Sequence, residues 1–403
     1  MKPLHYYLLG TGSWFLSYGV QAVIFAWLVT IVLRESPDMV GIAQMTLLAP
    51  VMFLILIGGS VADQFGGKPI AIIGQSLAVL CVLSLALVIY LELFSYSVLL
   101  IFALCQGCAQ ALVTPARDGL LPLVADGKIQ RTVVQATLMQ FGVQMLGFLC
   151  ASFADDAGAV VILLFQSVTL SIGIVALSRI KIPQVESRVR EYHLIKHLRL
   201  SIKTGMQTVM QSPPMRAVLV LNCAMGLFFM STYMVTVPLL LREVYGGGSS
   251  QLSWTNIANS SGLILMIVCL LRIGDLRRQG RALLVAHGIG ALALASAALG
   301  AGFTSLLVSV SVWGFCGGLA VTSSRSIMQE LAPSDQRSRT MAFYSLSFMG
   351  AGPVGALFSG YMSKWLGPEM ALLCSASTMM VVVIAVAIWS SLWQLDSRKP
   401  SQG

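Results

Sequence analysis

The sequence predicts an all-α membrane protein in which twelve transmembrane helices form two parallel halves of six. Three observations carry this. Of the 403 residues, 57% are hydrophobic and only 10% charged, with a mean hydropathy of +0.83, far from the balance of a soluble domain. Apolar runs of roughly 20 residues, enough to cross a bilayer, recur along the whole chain. With the amino terminus inside, only Arg34, Arg242 and Lys364 of the 25 basic residues fall on the outer side, as the positive-inside rule requires. A miscounted span would have scrambled that sorting.

The first span, 7–33, holds Leu8 to Leu33 without a charge. It shows no short leader pattern, so this helix is expected to be retained. Ser13, Ser17 and Gln21 form one stripe at i, i+4 and i+8, with Tyr18 beside it. In hydrocarbon such a stripe must face protein or water; helix-to-helix hydrogen bonds and cavity lining both satisfy that demand. Spans 40–62 and 70–91 are joined by Gly58 to Pro69, GGSVADQFGGKP, and so tight a connection predicts antiparallel neighbours. Asp63 and Lys68 within it need partners or the headgroup region. Span 97–121 carries Gln106, Gly107 and Gln110. Pro115 and Pro122, flanking Arg117-Asp118, predict a helix end broken at the inner surface. Span 129–153 has Gln140, Gly142, Gln144 and Gly147, and span 157–178 closes the first half.

Between Arg179 and Pro214 the apolar pattern stops. Arg188, Arg190, Lys196, Arg199 and Lys203 cluster there, so 179–213 is read as a basic linker between a bundle at 1–178 and a second at 214–403. Leu194, Ile195, Leu198, Ile202 and Met206 recur at near-helical spacing, which suits an amphipathic helix on anionic lipid. His193 and His197 lack a third ligand and are read as solvated. The sorting of basic residues by side accounts for the positive charge, and nucleic acid is not expected as a partner.

The second half has spans 214–241, 251–273, 281–302, 305–328, 338–362 and 368–393, and it repeats the first. A shift of about 208 residues aligns Arg117 with Arg325, Arg131 with Arg339, Gly142 with Gly350 and Gly147 with Gly355. Asp275 answers Asp63 at nearly the same shift. Asn222, Ser231, Thr232, Tyr233 and Thr236 on the seventh span supply neutral hydrogen-bonding groups. Gly350 to Ala356 on the eleventh, with Pro353 among them, suit close packing and also a hinge.

All eight cysteines fall within the spans, so disulfides are not implied; Cys105 and Cys108 read as small packing residues. The four histidines are scattered. No phosphate-cradling glycine loop, dinucleotide turn or nucleophile with a base is present. No enzyme activity, cofactor, metal or direct use of ATP is expected. Asp63, Asp118, Asp275 and Glu330 lie near the inner surface, and Glu92, Asp155, Asp156 and Glu243 near the outer one. The uncharged interior suits a polar or amphipathic solute held by hydrogen bonds and aromatic contacts, and it offers no evident proton carrier.

The spacing G-x-x-x-D-x-x-G-x-K at Gly59, Asp63, Gly66 and Lys68 resembles the connection between the second and third helices of major facilitator superfamily transporters. Gln64 and Gly67 stand where that family often has a basic residue. Gln106-Gly107 is similar to the end of an R-x-x-Q-G pattern on the fourth helix of its proton-coupled exporters, with Ala103 at the arginine position. With the repeat, the resemblance covers essentially the whole chain. It implies the major facilitator fold, and alternating access by two halves rocking about a site lined by helices one, four, seven and ten. On that resemblance Ser17, Gln21, Gln106, Gln110, Tyr233 and Thr236 are cavity candidates, with Gln140 and Gln144 from the fifth helix. Gly59, Asp63, Gly66, Lys68, Arg117, Asp118, Asp275 and Arg325 are candidates for an inner gate.

Within the superfamily, the first-helix stripe, the T-P-A-R-x-x-L-L-P run at Thr114 to Pro122 and the basic linker look most like the bacterial efflux branch of enterobactin-exporter-like and macrolide-exporter-like proteins. That resemblance implies a monomer in the bacterial cytoplasmic (inner) membrane, both termini inside, exporting a small siderophore-like or drug-like compound with protons as the coupling ion. A lysophospholipid transporter of similar architecture is the alternative, and a non-transporting receptor a third.

Overall fold

A computed structural model of the chain describes residues 3–124, 129–180, 206–274, 276–300, 302–333 and 337–395. Secondary structure among them is helical throughout, in twelve spans. The first six are α1 (Pro3–Val32), α2 (Pro37–Phe65), α3 (Gly67–Tyr90), α4 (Tyr96–Val124), α5 (Ile129–Ala151) and α6 (Ala159–Ser178). The second six are α7 (Pro213–Glu243), α8 (Ser249–Ile273), α9 (Gln279–Ala297), α10 (Phe303–Leu331), α11 in two pieces (Arg337–Met349 and Ala351–Leu366) and α12 (Pro368–Trp389). Only helices and closed barrels satisfy every backbone group internally in lipid, and the apolar runs resolve that choice as helix.

The chain divides into two compact units. The first holds α1 to α6 together with Gly246–Ile257, the opening turns of α8. The second holds α7, α8 from Ala258 onward, and α9 to α12. In the first, α1 packs on α5 and α6, α2 on α4, and α3 on α4 and α6. At one end of these helices Tyr7, Ala62, Ile70, Ala116, Leu120 and Leu177 form a common apolar core. In the second, α9 packs on α10 and α12, and α7 on α11 and α12. The α1–α5 and α7–α11 pairs thus repeat each other.

Small residues make both pairs possible. A Cβ on Gly147 of α5 would run into the Leu16 carbonyl of α1, and one on Gly19 would meet the Gln144 carbonyl. In the second unit a Cβ on Gly355 of α11 would strike Leu227 and Ser231 of α7. Without a hydrophobic drive between helices in lipid, such backbone approach is where packing energy is gained.

Five features depart from the sequence expectation. The connection at Gly58 to Pro69 is not a loop: α2 runs to Phe65, and Gly66 alone, at φ 92°, separates it from α3. A left-handed φ suits glycine, and it leaves Gly59 and Asp63 in the last turns of α2. The chief neighbour of α2 is α4 rather than α3, because Gly107 admits Leu47 and Pro50 closely. Nor is α4 broken at its prolines; it stays helical through Pro115 and Pro122 to Val124, each proline removing one donor from an otherwise intact ladder. The eleventh span is interrupted at Gly350, since Pro353 has no N–H for the Met349 carbonyl. The seventh contains π-helical turns at Met225–Met230 and Thr232–Thr236, the latter just before Pro238, with the Val237 N–H reaching back to the Thr232 carbonyl. The linker residues 181–205, with the proposed amphipathic helix and His193 and His197, lie outside the described residues, as does Asp275.

Gly147→Leu is expected to cost about 1–3 kcal/mol by overpacking, lowering the thermal midpoint of detergent-solubilised protein. Gly142→Ala, where nothing lies within 4 Å of the new Cβ, should leave that midpoint unchanged or raise it. Heating followed by size-exclusion chromatography reads both.

Candidate solute and gating residues

The polar stripe of α1 is buried and turned toward α3 and α6. Gln75 of α3 donates from Nε2 to Ser13 Oγ at 3.2 Å and to the Leu170 carbonyl at 2.9 Å. Gln166 of α6 presents Nε2 to Ser17 Oγ at 3.0 Å and Gln21 Oε1 at 3.0 Å. Ser17 and Gln21 therefore link helices within the first unit. Gln75 and Gln166 were not singled out from the sequence, although each is the lone amide side chain of its helix. A lone amide in hydrocarbon requires a partner, and that was the available signal.

Tyr18, beside the stripe, lies close to the Gln110 side chain of α4. Gln106 stands one turn earlier on the same face of α4, 7% exposed, and its Oε1 is buried with no partner. Gln140 and Gln144 are half-buried on α5. The structure thus brings Tyr18 and Gln110 together and leaves the Gln106 amide oxygen free to accept. In the second unit Thr236 is buried, its Oγ1 3.3 Å from Ser363 Oγ. Thr232 donates to Ser375 Oγ, and Asn222 to the Tyr344 carbonyl and Ser347 Oγ. These α7 groups tie α7 to α11 and α12, as the α1 stripe ties α1 to α3 and α6. Tyr233 is half-buried and meets Trp313 of α10 edge-on at 5.7 Å.

Among the gate candidates, Lys68 has a definite task. Its Nζ lies 2.7 Å from both the Ser178 and Ile180 carbonyls, where it caps the carbonyl end of α6 and meets the negative end of the helix dipole. Arg117 is buried, with its guanidinium 4.3 Å over the Phe15 ring and 3.7 Å from Asp118 Oδ1. The Asp118 side chain is 69% exposed, so solvent screens that pair, and one Arg117 nitrogen has no partner. Gly59 and Asp63 belong to α2 and Gly66 to the turn. Arg325, the repeat counterpart of Arg117, is exposed on α10.

A polar cluster around Asp155 was also missed. Asp155 accepts from Trp27 Nε1 at 2.7 Å through Oδ1, and from Ser249 N at 2.6 Å and Oγ at 2.8 Å through Oδ2. A carboxylate at the first turn of α8 satisfies donors that no helix can satisfy itself. An open groove of about 480 Å³ runs between α1 and α6, lined by Leu9, Val168, Ile172, Val175 and Ser171 with Arg179 at one end.

A family model described as transmembrane secretion effector matches residues 9–402. A protein of Bacillus subtilis (strain 168) described as the uncharacterized MFS-type transporter YfiS is 24% identical over 380 residues, spanning 88% of this chain and 85% of its own. Among solved structures, the nucleoside transporter NupG superposes with a TM-score of 0.73 at 13% identity, covering 96% of this chain and 99% of that one. A POT family transporter in complex with 5-aminolevulinic acid reaches 0.74 at 13% identity, covering 96% of each. At such identity the solved structures bear on the fold alone.

Gln166→Leu should cost about 1 kcal/mol by removing the α1–α6 hydrogen bonds. Gln106→Leu, which removes an unpaired acceptor, should cost less or stabilise. Thermal unfolding of the two variants side by side measures the difference.

Proposed function

On the footing that the chain belongs to the transmembrane secretion effector family of major facilitator transporters, multi-pass membrane proteins that are not enzymes, we propose that it exports a small amphipathic compound, siderophore-like or drug-like, from the cytoplasm by proton-coupled alternating access. The observation that carries this reading is the neutral set Tyr18, Gln110 and Gln106, in which Tyr18 lies close to Gln110 and the Gln106 Oε1 is buried and unpaired. A buried acceptor without a donor favours a solute that brings one. Uncharged amide and phenol groups select hydrogen-bonding, partly apolar solutes over small ions. The family description speaks for outward movement.

In this reading the protein works in the bacterial cytoplasmic membrane with both termini inside, as a monomer, with protons as the coupling ion. Ser17, Gln21 and Thr236 hold helices in register for the cavity residues. Arg117, buried and stacked on Phe15, belongs to the inner gate with Asp118, and Lys68 steadies that end by capping α6. Asp63, Asp275 and Arg325 complete the gate.

One observation favours a second reading. The groove between α1 and α6, apolar along its length with Arg179 at the inner end, has the form and charge to take an acyl chain and an anionic headgroup, as a lysophospholipid transporter needs.

A deletion strain should accumulate the exported compound inside the cell by several-fold, restored by the wild-type chain and not by Gln106→Ala. Intracellular metabolite profiling with and without iron limitation measures it. Unchanged profiles together with uptake of labelled lysolipid into vesicles containing the protein would replace the first reading by the second.

A further inference from the structure

His287 stands near the middle of α9, eight residues from its inner end at Gln279, about 12 Å of helix. It is 2% exposed. Its Nδ1 lies 2.9 Å from the Leu283 carbonyl oxygen. A carbonyl only accepts, so Nδ1 carries the hydrogen and the lone pair of the neutral ring is on Nε2. That Nε2 is buried without a partner, and an unsatisfied buried polar atom in a native fold calls for a reason.

The ring is also wired to its surroundings. It stacks on Phe229 with centroids 6.2 Å apart and planes 21° from parallel. Phe229 meets Trp313 edge-on at 5.5 Å, and Trp313 meets Tyr233 at 5.7 Å. Phe229 lies in one π-helical turn of α7 and Tyr233 in the other, a form of helix that recurs at functional sites.

We propose that His287 Nε2 is a reversible proton site, and that its charge is transmitted through Phe229 and Trp313 to Tyr233 on α7. The proton comes from water on one side of the membrane. It forms an N–H bond with the Nε2 lone pair and is returned to water on the other side, with no electron transferred. Protonation turns a buried acceptor into a buried donor, so water that reaches the site must accept from it, and the stacked face of Phe229 at 6.2 Å lies beside the charge.

Among the described residues no charged side chain stands against the ring; burial and the Leu283 carbonyl are what act on it. On α10 the nearest titratable group is Cys316, packed by Gly290, while Arg325 and Glu330 lie toward the inner end, with Glu330 held by Gln279 at 2.8 Å. On α12 Glu369 is in the first turn and Cys374 follows within two turns. Arg281, on α9 itself, is engaged by Trp393. On α7, apart from Cys223 and the Tyr233 phenol, the titratable groups are Arg216 at one end and the Arg242–Glu243 pair at the other.

The use of this proton rests on the export reading, but occupancy of the site does not, and the test adds no solute. With the full chain in lipid nanodiscs, Trp313 emission, isolated by difference from W313F, is followed from about pH 8 to about pH 4. Expected is a one-proton transition, absent in H287Q and in H287N, and largely lost in F229L because the relaying ring is gone. In wild-type protein labelled with ¹⁵N-histidine, a bare Nε2 should convert to N–H over the same range, a readout that needs no variant to fold. Trp313 emission independent of pH, a transition that persists in H287Q, or an Nε2 that stays bare throughout would overturn the proposal. None of these outcomes bears on whether a compound is exported.

Discussion

Hydrocarbon offers no water, so each polar side chain within it must find protein. That constraint decides which helices of this chain touch and how. Gln75 and Gln166 draw α3 and α6 onto the serine and glutamine stripe of α1. Asn222, Thr232 and Thr236 draw α11 and α12 onto α7. Each such bond contributes about 0.6 kcal/mol on average, so their number and direction matter more than any one of them. Glycines at the α1–α5 and α7–α11 contacts let the backbones of those pairs approach closely as well.

What the polar groups do not spend on helix pairing is left for function. On α4 that remainder is the buried oxygen of Gln106. On the second unit it is the Nε2 lone pair of His287, with Phe229 stacked on its ring. The two remainders differ in kind, an amide in one unit and an imidazole in the other.

Much of the fold was legible in the residues. Apolar run length fixed the helices, and the duplicated Gly147 and Gly355 anticipated the repeated close contact. Helix continuity was less legible: Pro115 and Pro122 leave α4 intact, whereas Pro353 coincides with an interruption at Gly350. Proline removes one donor in every case, and only the surrounding packing decides whether the helix breaks. The site was read less well. Ser17 and Gln21 show the same spacing whether they face a cavity or Gln166, because periodicity gives the face of a helix and not the neighbour against it. Lys68 was expected to need a partner or the headgroup region, and its partners are the carbonyls ending α6, which leave no trace in side-chain identity. The role of Asp155 as acceptor toward Trp27 and Ser249 depends on segments distant in sequence.

The account stands on one orientation, with two sets of six crossings and the basic linker between them on the inner face. Single cysteines at Arg188 and at Gly246, introduced into a cysteine-free variant and labelled with a membrane-impermeant maleimide, test that directly. Position 188 should react only when the reagent reaches the cytoplasmic face, and position 246 only from the outside. Reaction of both positions from the same face, or of position 188 from the outside, would contradict it.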